Sequence, residues 1–125
     1  MNEKSLTLRT IDNRTAFNPG EEITVVAEWQ LDVPPAVAEL RLAWYTQGKG
    51  DEDIQIVDKF VIPAPRASDS QRWTVRLPDS PYSFSGKLIT LTWAIELIIG
   101  DQSQRLDIVI APAGREVLLH KPAAA

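Results

Sequence analysis

The 125-residue chain has no cysteine and a single histidine, His120. The first absence excludes disulfides, thiolate metal sites and a cysteine nucleophile, and it fits a reducing compartment. The second leaves too few imidazoles for a zinc site. A Ser–His–Asp triad would have to bring Ser83, Ser85 or another serine to His120, and no G-x-S-x-G elbow surrounds any serine. A basic stripe is missing as well: 13 Lys and Arg are mixed with 17 Asp and Glu, for a net charge of −4. That argues against nucleic-acid binding and against a polybasic membrane patch. The longest apolar stretch, Leu88 to Ile99, is interrupted by Thr90, Thr92 and Glu96 and is too short and polar to span a bilayer. Met1 to Ser5 lack the apolar core of a secretory signal. The expectation is a cytoplasmic protein, not inserted in a membrane and without a cofactor.

What the chain does have is a period of two. Ile23, Val25, Ala27, Trp29 and Leu31 alternate with Thr24, Val26, Glu28 and Gln30, the pattern of a half-buried strand. Asn18-Pro19-Gly20 opens it as a turn and Pro34-Pro35 closes it. Leu40, Leu42 and Trp44 point inward on the next strand, with Glu39, Arg41 and Tyr45 outward. Gln47 to Asp51 reads as a loop. Ile54 to Ile62 reads as a strand with a flaw, since Asp58 shares the parity of Ile54, Ile56, Phe60 and Ile62; a bulge near Asp58 would repair the register, and an edge strand with one solvated acid is the alternative. Trp73, Val75 and Leu77 come next, and a turn-rich loop spans Pro78 to Gly86. Ile89, Leu91, Trp93, Ile95, Leu97 and Ile99 form the clearest apolar face. A hairpin connection at Gly100 to Ser103 leads to Leu106, Ile108 and Ile110. Leu6 and Leu8 supply a first strand and Glu116 to Leu119 a last one. Seven to eight strands with regular turn signals and no helical period predict an all-β antiparallel sandwich. It forms a single domain over residues 1–121, with a flexible tail at 122–125.

The candidate sites are few. Gly48-Lys49-Gly50 is a poor phosphate loop, because Asp51, Glu52 and Asp53 follow at once. Those acids offer oxygen ligands to Ca²⁺ or serve solubility alone; they lack the spacing of an EF-hand. Glu28, Glu39 and Glu96 lie on outward registers, so nothing sets two carboxylates across a cleft for glycoside hydrolysis. Trp29, Trp44, Trp73 and Trp93 all share parity with the apolar faces and are assigned to the core, not to a sugar-stacking platform. Tyr45, Tyr82 and Phe84, with Phe17 behind them, are the aromatics left for contact with a partner. Val26, Ala94 and Ile98 are apolar residues on outward registers, either a small patch for a partner or homo-oligomer or isolated exposed residues of the routine kind.

Two stretches resemble the arrestin-like superfamily. Phe17-Asn18-Pro19-Gly20-Glu21-Glu22-Ile23 is an aromatic followed by a proline–glycine–glutamate turn entering a long strand. Leu77-Pro78-Asp79-Ser80-Pro81-Tyr82-Ser83-Phe84-Ser85-Gly86-Lys87 is similar to the family's leucine–proline, serine, glycine loop. The resemblance covers most of residues 5–119. It implies an immunoglobulin-like sandwich that acts as an adaptor or scaffold without catalysis, as in the similar bacterial sporulation-control proteins. Arrestins carry two such domains, whereas this chain has one. Pro34-Pro35 is followed by Ala36-Val37 and forms no proline–proline–x–tyrosine motif, and no clathrin-type box is present. No functional residue is therefore carried over. The expected function is a non-enzymatic protein-interaction or scaffold domain. The alternatives are a small-ligand or carbohydrate-binding sandwich and a self-assembling structural component. An open sandwich offers a route to partners through the unpaired backbone of its edge strands, and the irregular strand around Asp58 is the candidate edge.

Overall fold

The computed structural model describes residues 5–48, 50–86, 88–114 and 117–118. His120, Lys49, Lys87, Glu116, Leu119 and the 122–125 tail lie outside the described residues. The elements are strands β1 (Ser5–Thr10), β2 (Ala16–Phe17), β3 (Glu22–Gln30), β4 (Val37–Gly48), β5 (Asp51–Pro63), β6 (Ser68–Arg76), β7 (Phe84–Ser85), β8 (Thr90–Ile99), β9 (Gln102–Ile110) and β10 (Val117–Leu118). A short 3-10 turn spans Pro112–Gly114.

These strands build the expected all-β sandwich. One sheet has three strands in the order β1-β3-β6. The other runs β5-β4-β8, and β8 then pairs with β9 over Trp93–Ile99 and with β7 over Thr90 and Leu91. Two short parallel pairs, β2 with β9 and β10 with β7, extend the larger sheet. All long pairings are antiparallel.

The core follows from the alternation. Ile23, Val25, Ala27 and Trp29 of β3 face Leu40 and Leu42 of β4, Leu91 to Ile99 of β8 in alternate positions, and Ile108 and Ile110 of β9, in one buried cluster. All four tryptophans belong to it, Trp29 and Trp93 buried and Trp44 and Trp73 half-buried against its margin. Each of the two buried indoles has a partner: Trp29 Nε1 donates to the Arg66 carbonyl and Trp93 Nε1 to the Pro81 carbonyl, both at 2.8 Å. A buried N–H without an acceptor would cost about 1–3 kcal/mol.

The structure corrects several expectations. Asp51, Glu52 and Asp53 lie in β5 itself, because β4 continues to Gly48 and leaves a two-residue connection. Ile89, expected in the apolar face of β8, precedes the strand and is exposed. Val26 and Ala94 keep their outward registers yet are buried. Val26 lies between the cross-strand partners Arg9 and Arg72, whose aliphatic stems can cover an apolar neighbour while the charged heads stay wet. Ala94 joins Ala43, Tyr45 and Ile56 in a second small cluster on the outer face.

The bulge near Asp58 is present, and it re-sorts the apolar residues of β5. The register steps from Leu42↔Asp58 to Ala43↔Ile56 and leaves Val57 unpaired. Asp58, Phe60 and Ile62 therefore face inward with Leu42, Leu40 and Ala38, while Ile56 and Ile54 turn outward with Ala43 and Tyr45. One inserted residue divides a single-parity stripe between two faces.

Candidate functional site

The two stretches that carried the resemblance meet in space. Gly20 N–H donates to the Pro78 carbonyl at 3.4 Å and Leu77 N–H to the Glu21 carbonyl at 2.9 Å. Gly20 has φ +77, the left-handed region that favours glycine, and a Cβ there would lie 2.8 Å from Asp79 Oδ1, so that carboxylate would have to turn aside. Glu21 is held by Arg14 at 2.8 Å and accepts from Asn18 N–H at 3.0 Å. The Arg14 hydrogen bond is the main cause, and the Asn18 amide the next, of a Glu21 carboxyl held below the usual carboxylate range. Asn18 Oδ1 accepts from Ala113 N–H at 2.8 Å. In the other stretch, Ser83 is buried, donates its N–H to the Ile110 carbonyl at 2.8 Å and accepts from Ile110 N–H through Oγ at 3.0 Å. These residues pin loops to strand ends. The Ser83 hydroxyl, one of the candidate nucleophiles, is occupied by backbone.

The aromatic candidates divide. Tyr45 is on the outward register as expected, but Arg105 stacks its guanidinium 3.9 Å from the ring centroid and leaves Tyr45 only 6% exposed. Burial, followed by the nearby Glu96 charge, pushes its phenol pKa up. Phe84 is half-buried against the main core. Phe17, considered for the surface, is 1% exposed beneath Arg14. Tyr82 alone presents an open ring, 41% exposed. The structure does not bring Tyr45, Tyr82 and Phe84 together in any cavity.

The accessible apolar surface lies elsewhere. Among the described residues, β5 is the edge of the larger sheet, and of its 13 residues only Ile62 is buried. Ile54, Val57 and Val61 are exposed apolar residues on it, Ile54 at 56% and Val61 at 57%. Beside its first residues, Leu88 (66% exposed) and Ile89 (43%) project from the segment entering β8. Gly48 sets that approach: a Cβ there would lie 2.6 Å from the Leu88 carbonyl oxygen, so only glycine lets the two backbones touch. A cleft of about 460 Å³ and another of about 350 Å³ open at this corner, and Gly48, Asp51, Leu88 and Ile89 line both. Sequence reasoning missed Leu88 and Ile89, because their parity joined them to the neighbouring strand.

With this geometry in view, the likenesses to solved structures fall into place. The crystal structure of Spo0M, a sporulation control protein from Bacillus subtilis, matches with a TM-score of 0.61 at 15% identity, over 89% of this chain and 50% of that one. The chain has an arrestin-like fold. It spans about half the length of Spo0M. Looser matches include a β-glucosidase from Listeria innocua in complex with gluconolactone (TM-score 0.49, 11% identity, 92% of this chain and 17% of that one). Another is the Pseudomonas fluorescens alkylpurine DNA glycosylase AlkC bound to DNA containing an abasic site analog (TM-score 0.41, 12% identity, 85% and 30%). Neither bears on the site. No protein-family model matches the chain, and no curated protein sequence does. Among the described residues no helix is long and apolar enough to cross a membrane.

Proposed function

We propose that the chain is a non-enzymatic protein-interaction module that docks a partner segment along the open edge of β5. One observation carries this reading: a 13-residue edge strand is exposed almost throughout, with apolar side chains standing in solvent along it. An unpaired strand edge is a template for strand addition, in which main-chain hydrogen bonds supply affinity and alternate side chains supply selectivity. Self-association through the whole edge is disfavoured by the Val57 bulge, by the inward-facing charge of Asp58 and by Lys59 beside it. The fold shared with a sporulation control protein agrees with a regulatory or scaffold role.

The test is a selection from a random peptide display library against the full chain, repeated on Ile54→Pro and on Tyr82→Ala. Selected peptides that lose binding to Ile54→Pro and keep it on Tyr82→Ala support edge docking. Peptides insensitive to Ile54→Pro, or no enriched peptides at all, overturn it.

A further inference from the structure

We infer that the first half of the β5 edge, Asp51–Ile56, takes an extended segment in which a block of consecutive cationic residues adjoins apolar ones. This rests on the edge-docking reading above and adds to it the chemistry of the occupant.

The hydrogen-bond alternation locates the free groups. Gly48 and Asp51 flank a two-residue connection and are paired in the ladder. With so short a turn they can only be a mutually hydrogen-bonded pair, since the other antiparallel arrangement would require the two turn residues to bond each other. Asp51, Asp53 and Gln55 therefore bond to β4, and the backbone groups of Glu52, Ile54 and Ile56 point away from it. Further along, the edge is interrupted by its own residues. Val57 is the bulge, Asp58 Oδ1 accepts from Lys59 N–H at 2.9 Å, and Pro63 at the strand end has no N–H to offer. The Ile56 carbonyl accepts from Gln55 Nε2 at 3.3 Å, a contact between exposed groups that a backbone donor could replace. The accessible template is thus the short run before the bulge.

Charge decides which segment fits there. Successive strand residues face opposite sides, so Glu52 presents its charge on the outer face and Asp51 and Asp53 on the inner one. Glu52 is steadied by Gln47 Nε2 at 3.0 Å. An incoming strand alternates in the same way, and cations at successive positions meet carboxylates on both faces. Ile54 and Ile56 then call for apolar residues on the outer face. Leu88 and Ile89 stand at the hairpin tip beside Gly48, on the β8 side of β4. A second copy paired through the same run brings three acids and no cation to meet these, so the favoured occupant is a partner of opposite charge.

The experiment uses the full chain and synthetic peptides that join consecutive lysines to alternating valine and threonine, in both chain orders. Control peptides carry glutamine or glutamate in place of lysine. Binding is read by fluorescence anisotropy, and site by amide exchange at Glu52, Ile54 and Ile56. The lysine peptide is expected to bind about tenfold or more tightly than either control, to slow exchange at those amides, and to weaken with added salt. The Asp51→Asn, Glu52→Gln, Asp53→Asn variant brings the peptides level, and Ile54→Pro, checked for folding by thermal melting, abolishes the protection. Equal binding of all peptides with the amides protected keeps edge docking and overturns the charge assignment. Lysine-peptide binding that persists in Ile54→Pro is unspecific attraction and overturns it too. Absence of any protection, together with a failed library selection, overturns the edge reading itself.

Discussion

The two long sides of the sandwich are finished in opposite ways. Along one, β1 of the small sheet packs close to β9 of the large one, and β2 inserts beside β9 with Phe17 buried under Arg14. Ala111 N–H donates to the Phe17 carbonyl at 3.1 Å and Val109 N–H to the Thr15 carbonyl at 2.8 Å, so this seam is stitched by backbone as well as by side chains. Along the other, among the described residues, β5 and β6 are each paired on one side only, β5 with β4 and β6 with β3. Phe60 and Trp73 sit half-buried at that margin. The same physics governs both sides. A closed seam removes apolar surface and satisfies donors, which adds stability. An open seam leaves both in reach of another molecule, which leaves room for binding.

The contrast can be tested by deleting equivalent side chains. Phe17→Ala on the closed side should cost about 3–5 kcal/mol, the usual loss for a fully buried phenylalanine. Phe60→Ala on the open side should cost about 1 kcal/mol, since water already reaches part of the ring. Equal losses in urea unfolding would mean that the open side is packed as tightly as the closed one. A proline pair sharpens the comparison within β5. Gln55→Pro removes a ladder hydrogen bond to β4 and should cost about 2–3 kcal/mol. Ile54→Pro removes only an outward N–H and should stay within about 0.5 kcal/mol of the parent. The reverse order would put the free edge groups on the wrong residues. On the outer face, Arg105→Ala strips the cation from the Tyr45 ring and should cost about 1 kcal/mol, with a rise in tyrosine exposure seen by fluorescence quenching. An unchanged exposure would refute the cover assigned to Arg105.

The smallest effect expected is at the Arg14–Glu21 pair beside the closed seam. The folded-state pKa of Glu21 is depressed, by the Arg14 hydrogen bond first and the Asn18 amide second. A depressed acid contributes stability above its unfolded pKa and loses it as pH falls through the folded one. Glu21→Gln should therefore melt slightly below the parent at neutral pH, with the gap closing on acidification below the carboxylate range. A gap that stays constant to low pH would show that the ion pair is not its source. Arg14 stands in solvent and Glu21 is only half-buried, so screening keeps the effect small.

Much of the fold was readable in particular residues. The alternations in β3 and β8 carried the two sheets, and the parity conflict at Asp58 located the bulge and the edge strand. The parity rule also assigned all four tryptophans to the core. The candidate site was far less legible. Tyr45 had the right register for exposure, but Arg105 reaches it from a strand sixty positions on, a distance in sequence that no local pattern bridges. Leu88 and Ile89 continued an apolar run and were absorbed into it, because period alone does not show where pairing starts. Phe17 was legible as a motif residue and not as a buried one, since its cover comes from Arg14 and β9.

By itself the sequence determined what depends on neighbours along the chain: the strand period, the turn at Asn18-Pro19-Gly20, the hairpin at Gly100, and the exclusion of cysteine chemistry. Only the tertiary structure decided which edges are closed, which outward side chains are roofed over, and which run of β5 keeps its backbone free. Those properties are set by contacts between distant residues, where a single bulge or one reaching arginine changes the outcome, and local periodicity carries no record of them.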